Sequence, residues 1–329
     1  MIIPKKLKKG DEVRVIAPSR SLSIISDPVI DVARHKLQSL GLKVSFSENA
    51  YLKDDFLSSS IEARIADLHN SFLDPEVKCV LTAIGGFNSN QLLNYIDYKL
   101  IKKHPKILCG YSDITALQNA ILKKTNLVTY SGPHFSTFGM EIGIEYTIEF
   151  FKKCFFSDSS YEITPSKKWS DDLWYLDQKN RVFKDNCGPV IINPGKAEGI
   201  IIGGNLCTFN LLQGTNYFPS FRESLLFIED DDQAGSFSDV EFDRGLQAVL
   251  HQTSFSNVKG VVFGRFQSNS CIDTDKLKKI LSSKKELSHI PILANFDFGH
   301  TNPLTTFPIG GRALLDLSAT KPHLIIKKH

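Results

Sequence analysis

Three observations predict an α/β fold, with an N-terminal parallel-sheet domain followed by a strand-rich, mixed α/β C-terminal domain. The first half alternates short apolar runs with amphipathic stretches, the pattern of a mainly parallel sheet covered by helices. Beyond Pro194 apolar runs dominate and fewer helical stretches separate them. At 329 residues the chain is long for a single core, so two domains of ordinary size are expected.

The elements follow in order. Glu12 to Ala17 reads as a strand, Asp31 to Leu40 as a helix, Lys43 to Ser45 as a strand, Ile61 to Asn70 as a helix and Cys79 to Ile84 as a strand. Gly85-Gly86 then turns the chain, and Asn88-Ser89-Asn90 opens a helix whose Leu92, Leu93 and Ile96 face inward. Ile107-Leu108-Cys109 is too short an apolar run for a helix, and Gly110 permits a sharp turn after it. From Asp113 to about Lys123 the spacing of Ile114, Leu117 and Ile121 predicts a helix with one buried face. Residues 1–155 make the first domain, and the polar stretch 156–190, holding Trp169 and Trp174, is the connection between domains. Residues 191–329 make the second, with strands at Gly199 to Gly204, Leu225 to Ile228, Gly260 to Gly264 and Pro291 to Phe296, and a helix at Asp239 to His251.

Composition narrows the function classes. With 42% hydrophobic and 23% charged residues the chain is globular. Its formal charge of +3 is nearly balanced, and Lys5-Lys6, Lys102-Lys103 and Lys284-Lys285 are scattered pairs, so nucleic acid is not an expected partner. No stretch nears the roughly 20 apolar residues that cross a bilayer, and Met1 to Lys6 lacks a leader's apolar segment. The expected location is the cytoplasm, with no membrane contact. Six dispersed cysteines form no C-x-x-C pair, so neither a disulfide framework nor a zinc site is indicated.

Three residues draw attention as chemistry. Ser112 stands at a strand-to-helix turn, where amide N–H groups could stabilise the oxyanion formed when its hydroxyl attacks a carbonyl. Serine is also a preferred N-cap, and on this segment alone capping is the more economical reading. Glu229 directly follows the strand Leu225 to Ile228, where a carboxylate can be held partly buried, whereas Asp230, Asp231 and Asp232 should face water. Their four consecutive carboxylates do not match a calcium loop. His300 lies in the tight turn Gly299-His300-Thr301-Asn302-Pro303 after another strand; such a histidine is more often structural than a proton carrier. His134, in Ser131-Gly132-Pro133-His134, is its competitor but has no evident orienting carboxylate. Gly203-Gly204-Asn205 matches no dinucleotide or phosphate loop, and serves instead for close backbone approach to a ligand or to the other domain. The order serine, acid, histidine is that of α/β-hydrolases, but Ile114 replaces the second glycine of their nucleophile elbow, so a triad here belongs to another architecture.

Taken together, these segments resemble the LD-carboxypeptidase family of serine peptidases, and within it the microcin C self-immunity branch. Gly110-Tyr111-Ser112-Asp113-Ile114-Thr115-Ala116-Leu117 is similar to the family's nucleophile motif, Leu226-Phe227-Ile228-Glu229-Asp230 to its glutamate strand and Gly299-His300-Thr301-Asn302-Pro303 to its histidine turn. Ile201-Ile202-Gly203-Gly204-Asn205-Leu206 and Tyr130-Ser131-Gly132-Pro133 extend the likeness over nearly the whole chain.

The resemblance implies a homodimer without metal or other cofactor, and a catalytic triad of Ser112, Glu229 and His300 set between two domains. It implies an oxyanion hole from the backbone N–H groups of Gly86 and Asp113, with Gly85, Asn88, Asn205, Trp169 and Trp174 around the substrate. Ile84-Gly85-Gly86-Phe87-Asn88-Ser89-Asn90 departs from the Arg-Gly-Gly-Tyr-Gly usual in LD-carboxypeptidases proper, which removes one partner for a terminal carboxylate. It looks like the microcin-immunity branch, whose amidases cut aminoacyl or peptidyl nucleotide analogues and stack the base on a tryptophan. Either tryptophan here stacks in that way or packs the domain connection. The implied function is hydrolysis of an amide bond in a small peptide or aminoacyl-nucleotide conjugate. One rival is murein LD-carboxypeptidase action on L,D-linked muropeptides, and another is binding of a peptide conjugate without cleavage.

Overall fold

The computed structural model describes residues 1–329. The N-terminal half runs β1 (Glu12–Ile16), α1 (Asp27–Ser39), β2 (Lys43–Phe46), α2 (Ile61–Leu73), β3 (Val77–Thr82), α3 (Tyr98–Lys103), β4 (Ile107–Gly110), α4 (Thr115–Thr125), β5 (Thr129–Ser131) and α5 (Glu145–Phe155). After it come the short β6 (Tyr161–Glu162), β7 (Lys168–Trp169) and β8 (Lys184–Asp185). The remainder runs β9 (Val190–Asn193), β10 (Lys196–Asn205), α6 (Leu206–Asn210), β11 (Ser224–Glu229), α7 (Ser238–Leu250), β12 (Val258–Gly264), α8 (Thr274–Ser282), β13 (Ile292–Phe296), β14 (Phe307–Ile309), β15 (Arg312–Asp316) and β16 (His323–Lys328).

The predicted class holds: two α/β layers, each built on a parallel sheet. The first sheet has the order β14-β5-β4-β3-β1-β2; its five N-terminal strands are parallel, and β14, from the last part of the chain, adds antiparallel to β5. The second, β6-β16-β15-β10-β11-β12-β13-β9, has a parallel centre from β10 to β13 and antiparallel flanks. One continuous apolar core joins them, with Val15, Leu81 and Cys109 of the first sheet and Leu225, Phe227 and Val262 of the second all fully buried in it. Parallel strands covered on both faces must read as near-continuous apolar runs, which is why Leu225-Leu226-Phe227-Ile228 was legible without alternation.

Two elements differ from expectation. α1 starts at Asp27, with a proline in its first turn, because proline's fixed φ suits a helix start. The helix expected from Asn88 is a single 3₁₀ turn, Ser89–Leu92, and the α-helix begins only at Tyr98, capped by the Asp97 carboxylate. Ser89 is tied to Asp113 there, its N–H donating to the carboxylate and its hydroxyl to the backbone carbonyl. Leu92, Leu93 and Ile96 are buried as their spacing required.

Candidate active site

Ser112 follows β4 in the left-handed region, at φ +60°, a conformation that costs a residue with a Cβ roughly 1–3 kcal/mol. A 3₁₀ turn, Ser112–Ile114, precedes α4, so the predicted helix starts two residues later than expected. Tyr111 occupies the cap position with no side-chain bond, and the Ser112 hydroxyl faces His300, with Oγ 3.0 Å from Nε2. On the other side of the imidazole, Nδ1 donates to Glu229 Oε2 at 2.7 Å. Three strand ends separated by up to 188 residues thus converge on one line of hydrogen bonds.

The convergence has a visible scaffold. Glu229 pairs in register with Asn205 at the ends of β11 and β10. Asn205 in turn donates its backbone N–H to Thr115 Oγ1 at 3.0 Å, and Asn119 donates to Gly203 O at 2.8 Å, so β10 is bolted to the helix behind Ser112. Gly299, at φ +102°, lets the histidine turn lie against the carboxylate; a Cβ there would stand 2.6 Å from Glu229 Oε2. Arg265 and the buried Asp297 form an ion pair at 2.8 Å beneath the same turn.

Electrostatics favour a strongly basic histidine. Burial works against its charge, but Glu229, by charge and hydrogen bond, with Asp231 and Asp230 behind it, outweighs burial and pushes His300 up to about 9. His134 goes the other way: burial, then the positive charges of His300 and Arg20, push it down to about 3. Its Nδ1 lies 2.7 Å from Thr82 Oγ1 and its ring is 4.3 Å from that of Tyr111, so it is a neutral wall beside the turn. Asp230 corrects an expectation. It is not out in water but half-buried, 3.3 Å from Asn205 Nδ2, and burial followed by the charges of Glu229 and Asp231 pushes its carboxyl up to about 7.

The other candidates are placed as follows. Gly85 backs directly onto Ser112, where a Cβ would stand 3.0 Å from Oγ. The Gly86 N–H donates to no protein acceptor and is available to a ligand. Asp113 is buried, and its carboxylate accepts from Ser19 Oγ at 2.6 Å and from Ser89 N–H at 2.8 Å. Asn88 props its own loop, with its carbonyl accepting from Arg64 at 3.1 Å. Asn205 caps α6 by accepting from Thr208 N–H at 3.0 Å. Trp169 lies in β7 beneath two cations, Lys184 at 4.5 Å and Arg265 at 5.0 Å from its ring centroid. Trp174 is half-buried, packs against the central core and meets Tyr175 edge-on at 5.9 Å. The loop carrying both is tied to the histidine turn by paired backbone bonds of 2.7 Å between Ser170 and Asn302.

The sequence reading missed Ser19, Ser89 and Arg64. Arg64 is buried and spans from Pro18 O to Asn88 O and Gln91 Oε1, clamping the two loops that face Ser112. Its only sequence signal is an arginine on the otherwise inward face of α2. No group of three or more His, Cys, Asp or Glu side chains is placed to hold a metal ion. All six thiols are free, and no helix is long and apolar enough to cross a membrane.

Comparison with known proteins adds to this geometry. Residues 13–132 match the LD-carboxypeptidase N-terminal domain and residues 198–315 the LD-carboxypeptidase C-terminal domain. The putative carboxypeptidase YocD of Bacillus subtilis is 55% identical over 98% of this chain and 99% of its own. The crystal structure of an MccF-like protein from Bacillus anthracis superposes with a TM-score of 0.99 at 52% identity, covering 100% of both chains. The microcin C7 self-immunity protein MccF of Escherichia coli is 30% identical over 99% of this chain and 98% of its own. A structure of MccF in complex with aspartyl sulfamoyl adenosine superposes with a TM-score of 0.87 at 28% identity, covering 100% of this chain and 99% of that one.

Proposed function

The chain belongs to the LD-carboxypeptidase family, and from that membership we propose that it is a metal-independent serine hydrolase cleaving an amide bond in a small peptide or aminoacyl-nucleotide conjugate. The observation that carries the reading is the unbroken line Ser112 Oγ, His300 Nε2, His300 Nδ1 and Glu229 Oε2, at 3.0 and 2.7 Å.

In this reading neutral His300 takes the Ser112 proton as Oγ bonds to the amide carbon. The carbonyl oxygen becomes an oxyanion between the N–H groups of Gly86 and Asp113. Glu229 holds the imidazole in the tautomer that leaves Nε2 free to accept, and stabilises the imidazolium that forms. Collapse of the adduct breaks the C–N bond, and the Nε2 proton goes to the departing nitrogen. Water then attacks the ester on Ser112, giving one proton to His300, and the acid leaves as that proton returns to Oγ.

The finer substrate assignment leans towards the nucleotide conjugate, as in the microcin-immunity branch, with Trp174, in the loop tied to the histidine turn through Ser170 and Asn302, as the stacking ring. Removal of the terminal residue from an L,D-linked muropeptide is the second reading, favoured by the match to both LD-carboxypeptidase domains. The family relationship also suggests a homodimer working in the cytoplasm. Exposed Phe56, Phe87, Leu173, Tyr175 and Leu176 offer apolar surface for such a contact.

The deciding experiment incubates the protein with an aminoacyl sulfamoyl adenosine and with an L,D-linked tetrapeptide, and follows both by mass spectrometry. Release of the aminoacyl group, or of the terminal amino acid, that disappears in Ser112→Ala supports the hydrolase. Binding of either compound without any turnover would make the chain a sequestering protein instead.

A further inference from the structure

We propose that Arg20 anchors an anionic group of the substrate, a carboxylate or phosphoryl oxyanion held within a few bonds of the amide that Ser112 attacks. The inference rests on the hydrolase reading and supplies the substrate chemistry of that site.

Arg20 stands beside the reacting atoms. It follows Ser19, whose hydroxyl donates to the Asp113 carboxylate at 2.6 Å, and its own N–H donates to Gly85 O at 3.3 Å. Gly86, at φ +157°, lies so close that a Cβ there would meet Arg20 Cγ at 2.9 Å. The stem of the arginine therefore runs along the residue whose amide faces the developing oxyanion, one residue from the glycine that backs onto Ser112 Oγ.

Its head is unsatisfied. Arg64, on the same pair of loops, has both terminal nitrogens engaged with Pro18, Asn88 and Gln91. Arg20 instead has a buried Nε with no partner, pairs with no carboxylate, and has its guanidinium 5.7 Å from the centre of the exposed Phe87 ring. Only Nε is cut off from water; the terminal nitrogens, with no protein partner and open to solvent, are free to receive an anion. Glu229, Asp230 and Asp231 lie after β11, and the Asp113 carboxylate is engaged by Ser19 and Ser89, which leaves Arg20 as a cation beside the turn with no carboxylate partner.

A planar guanidinium suits both anions. In a peptide the terminal carboxylate is one carbon from the leaving nitrogen; in an aminoacyl nucleotide conjugate the phosphoryl oxygens are equally near.

The test compares charged substrates with neutral twins. Wild type, Arg20→Gln and Arg20→Lys are assayed for kcat/KM on an L,D-linked tetrapeptide and its C-terminal amide, and on an aminoacyl adenosine phosphoramidate and its uncharged methyl ester. Wild type should prefer a charged member, and Arg20→Gln should lose roughly 10- to 100-fold on it, so that the preference collapses, with Arg20→Lys in between. The pair that responds identifies carboxylate or phosphoryl as the source. Equal loss on both twins, or no loss, at unchanged Tm overturns the proposal while leaving the hydrolase intact. If wild type cleaves none of the four, the hydrolase reading fails, and calorimetric titration with AMP and with the tetrapeptide decides the anchor. At least tenfold weaker binding by Arg20→Gln supports it; equal binding, or none by wild type, overturns it.

Discussion

His300 Nδ1 and Glu229 Oε2 lie 2.7 Å apart, and the carboxylate is only 3% exposed, so the pair interacts where water screens it little. This contact governs the pH behaviour of the site. In the proposed mechanism only neutral imidazole accepts the Ser112 proton, and with His300 pushed up to about 9 that is the minority form at neutral pH.

The rate should therefore rise with alkalinity. As pH increases towards 9 the neutral fraction grows about tenfold per pH unit, so kcat/KM should climb with unit slope and level off above that. A profile measured from pH 6 to 10 checks this. A limb centred near 6.5 would show that Glu229 does not raise the imidazole.

Glu229→Gln should act on both the height and the position of that profile. Without the carboxylate charge the limb moves to lower pH, and the plateau falls by on the order of 10⁴-fold because the amide no longer fixes the productive tautomer. Loss of rate with an unmoved limb would assign His300's basicity to the neighbouring aspartates.

Asp230 offers the subtler version of the same experiment. Its carboxyl, raised to about 7 by burial and then by Glu229 and Asp231, is neutral below that pH and charged above it. Wild-type His300 gains that negative neighbour as pH passes 7; Asp230→Asn never does. The variant's limb should therefore shift to lower pH, with a plateau close to wild type. An identical limb in both proteins would mean that Asp230 does not act on His300.

Asp113 should tie stability to activity. Its buried carboxylate accepts from both Ser19 and Ser89, and Ser89 Oγ donates back to Asp113 O at 2.6 Å. Both donors converge on the one oxygen Oδ2, and in Asp113→Ala both lose their acceptor inside the fold. A loss of about 1–3 kcal/mol in unfolding free energy is expected, together with a lower kcat as the Gly86 and Arg20 loops loosen. Denaturant unfolding and steady-state kinetics read the two effects separately.

These polar clamps also show where sequence reading ran out. Ser112, Glu229 and His300 stood out because each follows an apolar strand, Glu229 and His300 in the second sheet and Ser112 in the first, and no strand pattern says that the two sheets meet there. The family likeness then joined them. Ser19, Ser89, Arg64 and Asp113 meet across distant loops, and such contacts leave no periodicity in the chain. The 3₁₀ turn that stands in place of the helix expected at Asn88 is tied into the same set of contacts through Ser89. Asp230 was misplaced because four successive acids look like a solvated loop, while Asn205, 25 residues away, pulls the first loop aspartate inward.

The left-handed turn at Ser112 gives the last prediction. At φ +60° a Cβ is strained whatever the side chain, so Ser112→Ala removes the nucleophile but keeps the strain, whereas Ser112→Gly removes both. Both variants should be inactive. Glycine's greater freedom in the unfolded chain offsets part of its relief, yet at a left-handed position the balance favours it, and Ser112→Gly should be the more stable by about 1 kcal/mol. Thermal unfolding of the pair measures the difference directly. A glycine variant no more stable than the alanine variant would mean that the turn holds no strain, and that the nucleophile's conformation costs the fold nothing.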